Sequence, residues 1–167
     1  MRDLSNQKME STMAEGITHS EKFVFNLCKN TFLSLWSYVN PIGKDGKELC
    51  DILVVCDPYI LVFSVKDVLF DPSKKDPAVV KDRWIKRAIT ESDKQIDGAI
   101  RFLNGTDFLC TKSMDRVVLP PKERRVYIRI AVAFGSKRAI PLTLRRGQCC
   151  FPICSPFGVP FLHCRAG

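Results

Sequence analysis

Apolar positions are densest in residues 49–65, where two runs of strand length flank the dipeptide Asp57-Pro58. The runs, 49–56 and 59–65, are rich in Val, Ile, Leu and Phe, which is typical of β-strands. Two such runs on either side of a turn predict a β-hairpin. Proline is unusual in a two-residue hairpin turn, so a longer loop, and with it a shifted register, stays open.

Three polar residues of this hairpin fall on one face. If the loop is symmetric, Asp51 lies opposite Ser64, and Lys66 follows on the same face because strand side chains alternate. The rest of both faces is apolar, so we expect the hairpin to be covered on both sides and central in its sheet. Buried Asp and Lys are rarely unpaired. The group is therefore either a structural salt bridge or part of a functional site.

Helical spacing predicts one helix before the hairpin and one after it. The first begins at Thr18 or Ser20, either of which can cap it, and Glu21 in its first turn complements the helix dipole. The second covers about residues 78–104 and carries Gln95 in the middle of its apolar stripe. A glutamine on that stripe must find hydrogen-bond partners, either in nearby backbone or in a site.

Shorter alternating segments complete the pattern. They predict strands at residues 32–39, 116–119 and 125–134, with residues 106–115 irregular. For the first of these segments, a helix that runs through Leu35 is the alternative. The order helix, strand, hairpin, helix, strand is an α/β fold with αβββαβ topology and a central mixed sheet flanked by helices.

The predicted domain organisation has three parts. We expect a disordered lead at residues 1–17 and a core domain at 18–135. Residues 136–167 form a basic tail, rich in cysteine and proline, that shows neither a helical nor a strand period. One hypothesis for this tail is a lost reading frame.

Length and hydropathy place further limits on the class of protein. A chain of 167 residues is long enough for one domain with its own core. It contains no apolar span of about 20 residues and no secretory signal, which favours a cytoplasmic protein without a membrane segment. The tail residues Cys150, Cys154, His163 and Cys164 are potential zinc ligands, although their spacing matches no common zinc motif.

Basic residues are unevenly distributed along the chain, whose formal net charge is +8. Residues 1–115 hold 16 basic and 17 acidic side chains, whereas residues 116–167 hold 10 basic side chains and the single acid Glu123. A one-sided basic surface suits a polyanion such as nucleic acid. A soluble protein with a basic tail would show the same distribution.

These residues together resemble the PD-(D/E)xK nuclease superfamily, which has the restriction-endonuclease-like fold. That family places an Asp on the second strand and an acid-x-Lys motif on the third, which Asp51 and Lys66 match. Ser64 stands where the family has its second acid, so the chain resembles a divergent member. Many members carry an acid on the first helix, matched by Glu21, and some subgroups carry a Gln on the next helix, matched by Gln95.

The resemblance implies Mg²⁺- or Mn²⁺-dependent hydrolysis of phosphodiester bonds in DNA, in defence or repair. Asp51 would be the main metal ligand, with Glu21 and the backbone carbonyl of Val65 as further oxygens. Lys66 would orient or deprotonate the attacking water or stabilise charge, and Gln95 would position Lys66 or the phosphate. Four basic side chains would contact the nucleic acid: Lys122, Arg124, Arg125 and Arg129.

Because Ser64 replaces the second acid of the family motif, alternatives stay open. Glu48 and Asp67 are near in sequence, but both have the wrong parity for the face that holds Ser64. The chain is then either a nuclease, acting as a monomer or as a homodimer, or a catalytically inactive nucleic-acid-binding or interaction module on the same fold. A truncated gene product without activity is the third alternative.

Overall fold

A computed structural model describes residues 17–70, 73, 76–136, 148–152 and 161–166. The lead predicted at residues 1–17 lies outside these ranges except for residue 17, and most of the predicted tail lies outside them too. The side chains of the potential zinc ligands in the tail are likewise not among those described.

The described elements form a mixed α/β structure. The helices are α1 (His19–Phe32), α2 (Pro77–Ile85) and α3 (Glu91–Gly105), with a π-helical turn at Lys86–Thr90 between the last two. The core strands are β1 (Ser37–Val39), β2 (Ile52–Cys56), β3 (Tyr59–Phe70) and β6 (Val126–Ser136). The other strands are β4 (Phe108–Cys110), β5 (Arg116–Val118), β7 (Gln148–Pro152) and β8 (Phe161–Ala166).

The predicted hairpin is confirmed as β2 and β3, in the predicted register. Leu53 pairs with Val62, and the antiparallel ladder runs to Cys56 opposite Tyr59. The loop is therefore only Asp57-Pro58, with a cis peptide bond, and the longer loop considered from the sequence is wrong. This register fixes which side chains of the two strands share a face.

The hairpin lies in the interior of the main sheet, as predicted. The strand order in the described chain is β1-β2-β3-β6-β8-β7, and β3 is parallel to β6, whereas the other neighbours are antiparallel. The backbones of β7 and β8 therefore extend the sheet from a tail in which the sequence showed no strand period. β3 is central, with β2 on one side over Tyr59–Phe63 and β6 on the other side over most of its length.

Helices cover the two faces of this sheet. The face under α1 buries the helix residues Val24, Phe25 and Cys28 against Ile52, Val54, Leu61, Phe63, Val65, Ile130 and Val132. The face under α3 buries Ile96, Ala99 and Leu103 against Leu53, Val55, Ile60, Val62 and Ala131. Both faces of the hairpin are thus dry, and a polar side chain there needs a partner within the protein.

The start of α1 is confirmed, and the strand predicted after it is mostly wrong. Thr18 is the N-cap and forms a capping box with Glu21. The helix continues to Phe32, and a 3₁₀ turn follows at Ser34–Trp36, so only Ser37–Val39 is a strand. The alternation of residues 32–39 therefore placed the start of the strand too early. Its first residue, Phe32, belongs to the helix and packs with it on the sheet.

The long second helical segment is confirmed with one irregularity. Its buried positions recur every four residues at Trp84, Ala88, Ser92 and Ile96. Steps of four residues drift by about 40° around an ideal α-helix. The wider turn at Lys86–Thr90 reduces this drift and keeps the four positions over the sheet. Among the described residues, no helix has the length and apolar character needed to cross a membrane.

Residues 106–118 form a small hairpin in the part of the sequence that we predicted to be partly irregular. β4 pairs antiparallel with β5, and Leu109 and Val117 point into the core under α3. A bridge between Ile42 and Cys110 joins this small hairpin to the loop that precedes β2. The predicted strand at 116–119 is confirmed, whereas β4 was missed.

Arg125 joins the end of α3 to the start of β6. Its guanidinium donates through Nη1 to the carbonyls of Leu103 and Thr106 and through Nε to the carbonyl of Pro120. The side chain is only 1% exposed. These bonds add to the one that the Thr106 N–H donates to the Leu103 carbonyl at 3.3 Å, at a helix C-terminus where carbonyls lack intrahelical partners. The guanidinium of Arg125, which we predicted to contact nucleic acid, is therefore bonded to carbonyls inside the protein.

Replacing Arg125 by Ala should lower the free energy of unfolding by about 3 kcal/mol, because buried carbonyls lose a charged donor. Urea denaturation measures this difference. The adjacent Arg124→Ala removes only an exposed pair with Asp57 at 3.5 Å and should cost less than about 1 kcal/mol. Equal losses in the two variants would contradict the structural role of Arg125.

Candidate active site

Asp51 lies immediately before β2 and is 5% exposed. Its Oδ2 accepts a hydrogen bond from the backbone N–H of Val65 on β3. Its Oδ1 accepts from Nε2 of Gln95 on α3, at 3.0 Å. A buried carboxylate needs such donors, and here they come from a neighbouring strand and from the helix above it. Both contacts hold the carboxylate at the end of the hairpin.

The Lys66 side chain lies on the same face of β3 as Ser64 and reaches both Gln95 and Asp51. Its Nζ donates to Oε1 of Gln95 at 2.8 Å and lies 3.9 Å from Oδ2 of Asp51. The Lys66 side chain is 31% exposed, in contrast to 6% for the side chain of Asp51. The pair thus spans from the buried interior to solvent, as a site open to a ligand requires.

Gln95 connects the members of this cluster, and their chemistry fixes its amide orientation. An ammonium only donates and a carboxylate only accepts, so Oε1 must face Lys66 and Nε2 must face Asp51. Oε1 also accepts from the hydroxyl of Ser64 at 2.9 Å. Ser92, one turn earlier on α3, lies 3.1 Å from that hydroxyl. The interpretation of Gln95 as an amide bonded to nearby backbone is therefore wrong, since these bonds are to side chains.

The structure brings together four of the five predicted catalytic residues, namely Asp51, Ser64, Lys66 and Gln95. We refer to these four as the hairpin cluster. Its members come from the residue before β2, from β3 and from α3. The predicted register accounts for the first three, and the helical period of residues 78–104 accounts for the fourth.

Glu21 is bonded elsewhere. Its Oε2 accepts from the backbone N–H of Thr18 at 2.9 Å, and the Thr18 hydroxyl accepts from the Glu21 N–H in return. This capping role agrees with the simpler interpretation of Glu21 from the local sequence. Ser20 in the same turn donates to Asp67 Oδ1 at 2.7 Å, which ties the start of α1 to the end of β3.

Glu48 is an acid near the hairpin cluster that parity had excluded. Parity applies only inside a strand, and Glu48 precedes β2 in a segment that bridges to Ile42. Burial raises the pKa of its carboxyl above the ordinary value. The charge of Lys112 lowers this pKa and that of Asp51 raises it; smaller effects come from Glu21, which raises it, and Lys66, which lowers it.

The oxygen atoms of Asp51 and of the Val65 carbonyl fit one type of metal site. The N–H and carbonyl of one strand residue point to the same side, so the Val65 carbonyl faces the side of β3 on which Asp51 accepts the Val65 N–H. Mg²⁺ keeps several waters and is often held by one or two carboxylates plus substrate phosphates. Asp51 and the Val65 carbonyl fit such an open site. In the described chain, no three His, Cys, Asp or Glu side chains converge as a closed metal site would require.

The other basic residues predicted to bind nucleic acid differ in exposure. Lys122 and Arg124 are exposed, and each has one acidic neighbour, at 3.4 and 3.5 Å respectively. Arg129 is 14% exposed and pairs with Asp97 at 2.6 Å. Only Lys122 and Arg124 of the predicted set therefore present their charge mainly to solvent.

Three comparisons with known proteins returned no match for this chain. They covered protein-family models, curated proteins and solved structures. The function of this chain is consequently inferred from the geometry of the site itself.

Glu48 gives a prediction for pH dependence. A carboxyl whose pKa is raised by folding binds its proton more tightly in the folded protein than in the unfolded chain. Its ionisation therefore opposes folding as pH rises from the ordinary value of 4.5 towards neutrality. The Glu48→Gln variant lacks this effect, so its unfolding free energy relative to wild type should increase over that range.

The increase should stay below about 1 kcal/mol, because the Glu48 side chain is 38% exposed and solvent screens its charge. Urea denaturation of both proteins across the pH series measures it. A variant that loses stability relative to wild type as the pH rises would contradict the assigned direction.

Proposed function

We propose that this protein is a Mg²⁺-dependent nuclease that hydrolyses phosphodiester bonds in DNA, in defence or repair, and is a divergent member of the PD-(D/E)xK superfamily. The observation that carries the proposal is the contact of Asp51 and Lys66 through Gln95 at the end of the buried hairpin. A buried carboxylate beside a partly exposed ammonium is the pair of groups that this chemistry needs.

The order of the elements supports the same proposal. α1, the antiparallel β1 to β3, the α2–α3 segment and the parallel β6 follow one another in the αβββαβ order of the restriction-endonuclease-like fold. Asp51 precedes the second strand, and Lys66 lies on the third. The helices pack on opposite faces of the sheet.

Each residue of the cluster has a role that its contacts suggest. Asp51 and the Val65 carbonyl would hold Mg²⁺, which when bound supplies an activated water and offsets charge on the phosphate. Lys66 would orient the attacking water or stabilise the charge that develops on the phosphate. Gln95 holds Lys66 at a fixed distance from the carboxylate, so little reorganisation is needed during the reaction.

Ser64 supports a second candidate function, a nucleic-acid-binding module that does not cut. Ser64 is fully buried, and its neutral hydroxyl is bonded to Ser92 and Gln95. Both oxygens of Asp51 also have donors from the protein. A site with one carboxylate has less negative charge for Mg²⁺ than a site with two. The two functions share the same surface and differ in bond cleavage.

Plasmid cleavage in Mg²⁺ or Mn²⁺ distinguishes them. Wild type should convert supercoiled plasmid to nicked or linear forms, and Asp51→Ala and Lys66→Ala should each reduce the rate at least about 100-fold. Asp82→Ala and Lys86→Ala replace exposed residues of the same types on the α2–α3 segment, and both should cut as wild type does.

Binding of labelled DNA is measured in parallel at several salt concentrations. Affinity should fall as salt rises in wild type and in both site variants, because phosphate contacts release counterions. If wild type and variants alike bind DNA but leave it uncut with either metal, the nuclease proposal fails and the binding module stands.

A further inference from the structure

The small hairpin of β4 and β5 has one buried face and one exposed face. Leu109 and Val117 point into the core under α3. The opposite face carries Phe108 and its cross-strand partner Val118, and beside them Arg116 opposite Cys110. We call these four residues the outer face.

Apolar and cationic groups are combined on this outer face. Phe108 is 41% exposed and Val118 is 70% exposed. The guanidinium of Arg116 lies over the Phe108 ring, 4.0 Å from its centroid. Arg116 is exposed, and within the part of the chain that the structure describes it has no acidic partner within 4.0 Å. Apart from the contact with the Phe108 ring, its positive charge is therefore not neutralised by an acid of the described chain.

The outer face belongs to a hairpin that adjoins the candidate active site. Cys110 bridges to Ile42 in the loop before β2. Lys112 in the turn of the small hairpin lies 3.8 Å from Glu48, three residues before Asp51. The charges of Asp51 and Lys66 also act on the Glu48 carboxyl, so Glu48 lies near both of them. The turn of the β4–β5 hairpin, which contacts Glu48 through Lys112, therefore lies beside the hairpin cluster.

We propose that the outer face binds single-stranded nucleic acid and leads the strand towards Asp51 and Lys66. The inference rests on the proposed function and specifies its substrate as a strand with unpaired nucleotides. An exposed ring stacks on a base only when that base is free of a double helix, and an arginine plane can stack on the next base or contact its phosphate. Val118 extends the apolar surface beside the ring.

The proposal is tested by fluorescence anisotropy with a labelled 12-nucleotide oligo(dT) and a labelled 12-base-pair duplex, in EDTA so that nothing is cut. Phe108→Leu keeps an apolar side chain and the net charge but removes the ring. It should raise the Kd for the single strand by about fivefold or more, since stacking on an aromatic ring contributes about 1–3 kcal/mol per base. The Kd for the duplex should change less than twofold.

Arg116→Gln should weaken single-strand binding by a similar factor. The matched control is Lys29→Gln, which removes one positive charge lying over the ring of Phe25 on α1, against the other face of the sheet. It should change either Kd less than twofold. Circular dichroism confirms that each variant is folded before binding is measured.

Several results would overturn the proposal. These are single-strand binding by Phe108→Leu within twofold of wild type, equal losses for duplex and single strand, and a loss in Lys29→Gln as large as in Arg116→Gln. A mass change by light scattering on Phe108→Leu, without a binding change, would assign the face to a second copy of the chain instead. Cleavage assays with the single-stranded oligonucleotide and with plasmid, both in Mg²⁺ or Mn²⁺, separate the two proposals. Binding that depends on the outer face without cleavage of either substrate overturns only the nuclease, and cleavage without that dependence overturns only this surface.

Discussion

The structure depends on how a buried carboxylate is satisfied at the end of the central hairpin. Asp51 cannot stay charged there without donors, and it receives them from the backbone of β3 and from Gln95 on α3. The same glutamine accepts from Lys66, so a helix and two strands meet in one hydrogen-bonded group. Because the partners come from β3 and from α3, the geometry of this group is held by the packing of α3 on the sheet.

Much of this arrangement follows from local rules of sequence. Two apolar runs on either side of a two-residue turn fix the register of the hairpin. That register places Asp51, Ser64 and Lys66 on one face. The helical period then places Gln95 over them. The capping box at Thr18 is equally local, since it requires only a hydroxyl and an acid three residues apart.

Other features depend on contacts between distant segments, and the sequence pattern does not contain them. Arg125 looks like a surface cation, yet its side chain is buried and donates to carbonyls at the end of α3. Glu48 was excluded by a strand parity that does not apply before β2. The sequence pattern of residues 108–110 did not predict β4, which is a strand by virtue of its pairing with β5. Residues 32–39 alternate like a strand, but the helix holds the first of them because α1 packs on the sheet.

The most direct test of the account is a double-mutant cycle between Asp51 and Gln95 on the free energy of unfolding. Asp51→Ala, Gln95→Ala and the double variant are compared with wild type by urea denaturation. A charge-assisted hydrogen bond between the buried Asp51 carboxylate and the half-buried Gln95 amide predicts a coupling energy of at least about 1 kcal/mol. Effects that add to within about 0.3 kcal/mol would show that the two side chains do not act as one group, and the account would be contradicted.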